Sequence, residues 1–442
     1  MNIYMEAKEY KIWNPEMECM DREQMRALQG KRLANTVKRV YENVPMYQKR
    51  MDEKGIKPED IRTVDDLRYL PFTDKPDLRD QFPYGLFAAP KREIVRIHGS
   101  SGTTGMPIVV GYTQNDLDVW TEMAARGVTM AGGGPDDIVQ VCYGYGLFTG
   151  GLGLHQGASR VGAMVIPMSS GNTQRQIGML QAMGTTMMCC TPSYALLIGE
   201  TIRDMGIDPA KLQLKAGIFG AEPWSERIRA RIEELLDIDA LDIYGLTEMA
   251  GPGVACECLH KVGMHVCEDH VIPEIVDPET LEPLPYGERG ELVFSTITKE
   301  GTPLLRYRTH DLCRLNAEKC ACGRTNVRMD RIMGRTDDML IIRGVNVFPS
   351  QIETVLLGVP GVTPHFMLVV DRKGATDTME IQVEVTDDSF ADTVGELERF
   401  THQIHERIKS ALGLSATVKL VPPKSIERFE GKARRVRDLR NL

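Results

Sequence analysis

Residues 216–248 read Ala216-Gly217-Ile218-Phe219-Gly220, then Ala221-Glu222-Pro223, a helical stretch from Glu226 to Leu236, and Leu241-Asp242-Ile243-Tyr244-Gly245-Leu246-Thr247-Glu248. The first and last runs are short and apolar, and both lead into glycine. They predict buried strands on either side of an amphipathic helix. The same alternation extends from about residue 94 to 310, with further apolar runs at 138–141, 161–167 and 186–190. It argues for an α/β domain with a largely parallel sheet. Ligands in such sheets sit at the carboxyl ends of the strands, where several of these runs end in Gly or Pro followed by polar residues.

Outward from this block, residues 22–43 carry apolar positions at helical spacing, and Pro45 ends the pattern. Residues 70–90 are punctuated by Pro and Gly and read as loops. The last hundred residues change character. Ser350-Gln351-Ile352-Glu353 reads as a capping box. Two β-rich runs follow at 365–370 and 379–385, then a long helix at 391–411 and a strand at 416–421. We expect a small α+β domain, 335–442, hinged near Gly334-Arg335-Thr336-Asp337-Asp338 to a large domain, 1–334.

With 442 residues the chain has room for two or three cores. A net charge of −9 argues against nucleic acid or an anionic membrane as partner. No apolar run is long enough to span a bilayer, and no signal-peptide pattern opens the chain, so a cytoplasmic protein is expected. Cys189-Cys190 lies in an apolar run and fits reduced core thiols.

The hydroxyl-rich segment His98-Gly99-Ser100-Ser101-Gly102-Thr103-Thr104-Gly105-Met106-Pro107 lies between two β-like flanks, 94–97 and 108–110. Glycine lets backbone N–H groups approach an anion, and the hydroxyls add donors. A P-loop would place Lys after the last Gly. Here Met106 follows, so a phosphate-neutralising cation must come from elsewhere.

Seven motifs in order now add up: Ser100–Gly105, Gly220-Ala221-Glu222-Pro223, Tyr244-Gly245-Leu246-Thr247-Glu248, Tyr307-Arg308-Thr309-His310-Asp311, Gly334–Asp338, Arg343-Gly344-Val345-Asn346-Val347-Phe348-Pro349 and Gly431-Lys432-Ala433. In this arrangement the chain resembles the adenylate-forming (acyl-CoA synthetase) superfamily, and within it the phenylacetate–CoA ligase branch. The resemblance implies a large adenylate-forming domain with a small mobile lid. It implies that carboxylate and ATP give an acyl-adenylate, which then passes its acyl group to coenzyme A. The alternative within the superfamily is an adenylyltransferase without the CoA step. Ser100, Ser101, Gly102, Thr103, Thr104 and Gly105 would hold phosphates, with Mg²⁺ on Glu248 and the Thr247 hydroxyl on a phosphate. Ala221, Glu222, Pro223, Tyr244 and Gly245 would form the adenine wall. Asp311 would accept the ribose hydroxyls, assisted by Arg335, and Lys432 would supply the missing cation. One departure stands out: His310 occupies a position where the superfamily commonly has Gly. The implied partners are an aryl carboxylate, ATP and CoA, and a homodimer is compatible with the resemblance.

Two features lie outside those motifs. Cys258, His265, Cys320 and Cys322 offer four N/S ligands suited to a closed, structural Zn²⁺ site, with Cys256, His260 and Cys267 as competitors. The run Tyr143-Gly144-Tyr145-Gly146-Leu147-Phe148 pairs aromatics with glycines, and Tyr145 and Phe148 are the candidates for an acyl pocket.

Overall fold

The computed structural model describes residues 11–100, 108–336, 340–343, 345–373, 376–386, 394–430 and 432–440. The run 216–248 folds as read. Strand β6 (Ala216–Gly220) is buried at every position, as a strand covered on both faces must be. The helix Glu226–Leu236 starts at Ser225, whose side chain accepts from Ile228 N, and stops at Asp237 in the left-handed region (φ 54°). It returns the chain to β7 (Asp239–Leu246), parallel to β6. The buried Arg229 on this helix donates from Nη2 to both Glu257 oxygens, at 2.9 and 2.7 Å, and from Nη1 to Ala240 O (2.9 Å), which fixes helix to sheet.

Strands β3 (Ile138–Val141), β4 (Met164–Pro167) and β5 (Met187–Cys190) complete a parallel block in the order β4-β3-β5-β6-β7. The expected parallel sheet holds as far as β7 and then changes. Beyond it, β8 (Gly251–Glu257), β9 (Met264–Val266), β10 (Val271–Val276), β11 (Pro283–Leu284), β12 (Arg289–Thr296), β13 (Tyr307–Asn316), β14 (Arg328–Met329) and β15 (Gly334–Arg335) pair antiparallel. Together they make one thirteen-stranded mixed sheet among the described residues. The physical reason is connection length. The parallel strands are joined through helices, whereas β7 and β8 are joined by a tight turn, which permits only antiparallel pairing. That turn, residues 247–250, carries Thr247 and Glu248, so the motif sits where the sheet changes direction.

The flanks of the hydroxyl-rich segment form an antiparallel hairpin, β1 (Arg96–Ser100) and β2 (Ile108–Tyr112), with Ser100 opposite Ile108. Ser101, Gly102, Thr103, Thr104 and Gly105 lie outside the described residues.

Residues 22–43 form the helix Arg22–Asn43. Within 70–90 there is one short helix, Lys75–Asp80, capped by the Asp74 side chain. The predicted capping box also moves by two residues. The helix Pro349–Leu356 takes Phe348 as N-cap, and Phe348 N donates to Gln351 Oε1 (3.2 Å). Pro349 at the first helical position dictates this, leaving the Ser350 hydroxyl to donate to Met333 O (2.7 Å).

The C-terminal sheet contains Val362–Lys373 and Thr376–Val385 as a central antiparallel pair, flanked by Thr417–Val421 and Val436–Asp438. The helix Val394–Leu412 buries Ile404 and Ile408 in a separate core with Leu368, Val370 and Ile381. All ten cysteines are free thiols, and Cys189 and Cys190 are fully buried. No helix among the described residues is long and apolar enough to cross a membrane.

Candidate active site

At the carboxyl ends of β6 and β7, groups from distant parts of the chain converge. Asp311 on β13 lies directly opposite Arg335 on β15. Directly opposed antiparallel residues share a face, and the pair closes at 2.8 Å. From β7 the Tyr244 hydroxyl donates to the other Asp311 oxygen at 2.6 Å. Burial, with the Asp311 carboxylate beside it, raises the phenol pKa well above its ordinary value. Tyr244 thus commits its hydroxyl to Asp311, while its ring leans on Phe294 (centroids 6.1 Å apart). Arg335, expected to assist Asp311 from the hinge side, does so from β15, which pairs with β13 of the large sheet.

His310 has φ 62°. That left-handed conformation favours glycine, the residue that the resemblance implies for this position. Here the imidazole has its own partners: Asp74 Oδ1 lies 2.8 Å from Nε2, and Thr336 Oγ1 lies 3.0 Å from Nδ1.

After β6 the chain turns out through Ala221, also at positive φ (73°). A Cβ at Gly220 would lie 2.1 Å from Ile243 O, so only glycine lets the end of β6 approach β7 this closely. Glu222 then bridges the two domains. It accepts from Ser193 N (2.7 Å), from the Ser193 hydroxyl, and from Ala433 N of the C-terminal domain (2.8 Å). That contact brings Lys432 to the site. Lys432 keeps solvent access, but lost hydration pushes its ammonium below the ordinary lysine value. Arg335 adds to the depression, while Glu222, Asp311 and Glu248 oppose it. Further contacts hold the same domain arrangement: His365 to Glu200 (3.1 Å), Lys424 to Asp204 (2.5 Å), and Thr173 Oγ1 donating to Glu430 (3.2 Å).

Thr247 and Glu248 are both buried, and the Thr247 hydroxyl is 3.3 Å from the Thr149 hydroxyl. This contact draws the aromatic segment to the site. The Tyr145 hydroxyl stands 3.3 Å from His155 Nδ1, and Phe148 packs so close to Gly150 that a Cβ there would lie 2.4 Å from the ring. Leu147 O accepts from Gly99 N (3.0 Å), which lays this segment along β1.

The sequence reading missed Ser193, Thr149, Tyr112 and Lys299. Only Lys299 left a signal, as a lysine three positions beyond the largely apolar strand β12.

The thiol and imidazole donors of Cys258, His265, Cys320 and Cys322 all lie within 4.8 Å of one another, and all four residues are buried. The Cys258 and Cys320 sulfurs are 3.8 Å apart, and Cys322 Sγ is 3.5 Å from His265 Nε2. Tetrahedral zinc with Zn–S near 2.3 Å needs ligand atoms about 3.8 Å apart, so the donor set fits the ion. Of the competitors, Cys267 donates to Gly253 O (3.3 Å), and the Cys256 sulfur lies where a Cβ on Gly127 would meet it, at 2.6 Å.

Comparison with known proteins agrees with this geometry. The AMP-binding enzyme profile matches residues 20–298, and the AMP-binding enzyme C-terminal domain profile matches 344–440. The chain is 50% identical to the phenylacetate-coenzyme A ligase of Thermus thermophilus, covering 97% of this chain and 100% of that one. It is 51% identical to the Escherichia coli K12 enzyme of the same name, covering 95% and 96%. Among solved structures, 2-hydroxyisobutyryl-CoA ligase with 2-HIB-AMP in the postadenylation state superposes with TM-score 0.91 at 30% identity, covering 99% of this chain and 94% of that one. The same ligase in its thioesterification state, again at 30% identity and the same coverage, superposes with TM-score only 0.72. The chain as a whole is thus more similar to the postadenylation structure of that ligase than to its thioesterification structure. The chain belongs to the AMP-binding enzyme family, in its phenylacetate–CoA ligase branch.

Proposed function

We propose that this protein joins an arylacetate of the phenylacetate class to coenzyme A, using ATP, in two steps at one site. In the first, a substrate carboxylate oxygen attacks the α-phosphorus of ATP, the bond from that phosphorus to the α–β bridging oxygen breaks with the electron pair leaving on pyrophosphate, and acyl-adenylate and pyrophosphate form. In the second, the CoA thiolate attacks the acyl carbon, the anhydride C–O bond breaks and AMP leaves.

The first step concentrates negative charge, and fixed positive groups act where that charge develops. Lys432 supplies the cation, Asp311 with Arg335 and Tyr244 takes the ribose, and Glu222 with Ala221 and Pro223 lines the adenine. Glu248 offers a hard oxygen for the Mg²⁺ that accompanies ATP, which would spread the phosphate charge. Tyr145 and Phe148 line the acyl side. The observation that carries this reading is the contact of Ala433 N, next to Lys432 in the C-terminal domain, with Glu222 of the large domain at 2.8 Å. The two states of the 2-hydroxyisobutyryl-CoA ligase support a lid that turns between the steps. Zinc on Cys258, His265, Cys320 and Cys322 is structural: all four donors are protein, and the Lys and Glu of the chemistry lie elsewhere.

Pyrophosphate release across a panel of aryl acids, with and without CoA, tests the reading. Release with arylacetates supports it, and release independent of any acid opposes it. Within the same assay, Thr104→Val is expected to raise the KM for ATP and lower kcat through loss of a phosphate donor. Unchanged ATP kinetics would make the segment a linker.

A further inference from the structure

The turn bearing Thr247 and Glu248 is held from behind by two side chains. The Tyr112 hydroxyl donates to Thr247 O (3.1 Å). The Lys299 ammonium donates to Glu248 O (3.1 Å) and to Met249 O. Three successive carbonyls are thus fixed by two donors, and the donors touch each other, since Lys299 Nζ lies 4.4 Å above the Tyr112 ring. Tyr112 is fully buried and Lys299 is 6% exposed.

Each arm is braced in turn. Tyr112 ends β2, the strand by which the chain leaves the hydroxyl-rich segment. Its ring packs on His98 of β1 (5.3 Å) and on Trp120 (5.5 Å). Lys299 precedes Glu300 and Gly301, whose N–H groups donate to Asp116 at 2.7 and 2.8 Å, in the first turn of the helix Gln114–Met130.

A lysine is a costly choice for such a place. Burying an ammonium without a paired carboxylate is unfavourable, and its bonded partners here are carbonyl oxygens. Burial lowers the Lys299 pKa to about 7, against the pull of Asp116 and Glu248. An apolar side chain would fill the space without that cost but would release two carbonyls.

We propose that Lys299 and Tyr112 are positioning residues for adenylate formation: they fix the Thr247–Glu248 turn relative to the arms of the phosphate-segment hairpin. The proposal rests on the role given above to Glu248. A residue acting through Glu248 can lose nothing further once Glu248 is disabled, whereas an independent structural defect multiplies with it.

The test measures acyl-adenylate formation, and separately thioester formation from supplied phenylacetyl-adenylate, for Lys299→Met, Tyr112→Phe, Glu248→Gln and the two doubles with Glu248→Gln. Lys299→Met is expected to slow adenylate formation about tenfold or more and to raise the Mg²⁺ concentration for half-maximal rate, with thioester formation within about threefold of the parent. Tyr112→Phe, which keeps the packed ring, should show the same pattern at about threefold to tenfold. Each double should be no slower than Glu248→Gln alone. Multiplicative losses, or equal loss in both half-reactions, would overturn the bracket while leaving the Glu248 assignment intact. A Glu248→Gln enzyme with normal adenylate formation would overturn both.

Discussion

Lys432→Ala is expected to cut acyl-adenylate formation at least about a hundredfold, each 1.36 kcal/mol being a factor of ten. The physical ground is the position of the ammonium. Its neighbour Ala433 docks on Glu222, and lost hydration lowers the Lys432 pKa against the pull of Glu222, Asp311 and Glu248. A fixed cation in such a place contributes several kcal/mol when phosphate charge develops. Thioester formation from supplied acyl-adenylate and CoA should stay within about tenfold of the parent, because in the proposed mechanism the lid has by then turned Lys432 away. The pH dependence follows with a definite sign. Lys432 is cationic below its pKa, so adenylate formation should fall as pH rises through that pKa, earlier than for an ordinary lysine. Glu222→Gln, by removing the strongest opposing charge, should bring that fall to still lower pH. Both half-reactions on one preparation decide the matter. Equal loss in both would make Lys432 a support of the fold, and no loss in either would make it a tail lysine.

The second large effect is on stability. Protein purified without chelator is expected to carry about one zinc per chain, since closed Cys/His sites of this kind are usually filled by zinc. Cys322→Ser removes one ligand from a buried cluster that ties the turn after β8, strand β9 and the 320–322 loop together. Losses of this class are on the order of 3 kcal/mol or more, which in a chain this large should lower the melting temperature by roughly 5 °C or more. The kcat should fall less, because no residue of the chemistry is a ligand. Elemental analysis and thermal unfolding check both halves of this. Native protein without metal would leave the four residues as a cluster of thiols and imidazole.

The strand–helix–strand core was legible in the sequence because its signal is local. Ala216–Gly220 and Glu226–Leu236 have the bounds that periodicity and glycine suggest. The antiparallel half was not legible, since pairing of β13 with β12 and β15 depends on chain segments far apart. Capping at Phe348 rather than Ser350 shows a local rule, proline at the first helical position, overriding another. At the site, residue types with a single chemistry were the readable ones: the donor atoms of Cys258, His265, Cys320 and Cys322 lie within 4.8 Å of one another, and Asp311 pairs with Arg335 as the resemblance implied. The resemblance places Tyr244 in the adenine wall, but its hydroxyl contact with Asp311 is a tertiary fact. Lys299 and Tyr112 act through backbone carbonyls, and no motif records where a carbonyl points.

The most direct test of the central claim is product analysis. The protein is incubated with phenylacetate, ATP, Mg²⁺ and coenzyme A, and the acyl and nucleotide products are separated and identified. The account predicts phenylacetyl-CoA, AMP and pyrophosphate in equal amounts, with enzyme-bound phenylacetyl-adenylate and no thioester when CoA is omitted. ADP and phosphate in place of AMP and pyrophosphate, or adenylate that accumulates with CoA present and yields no thioester, would contradict it.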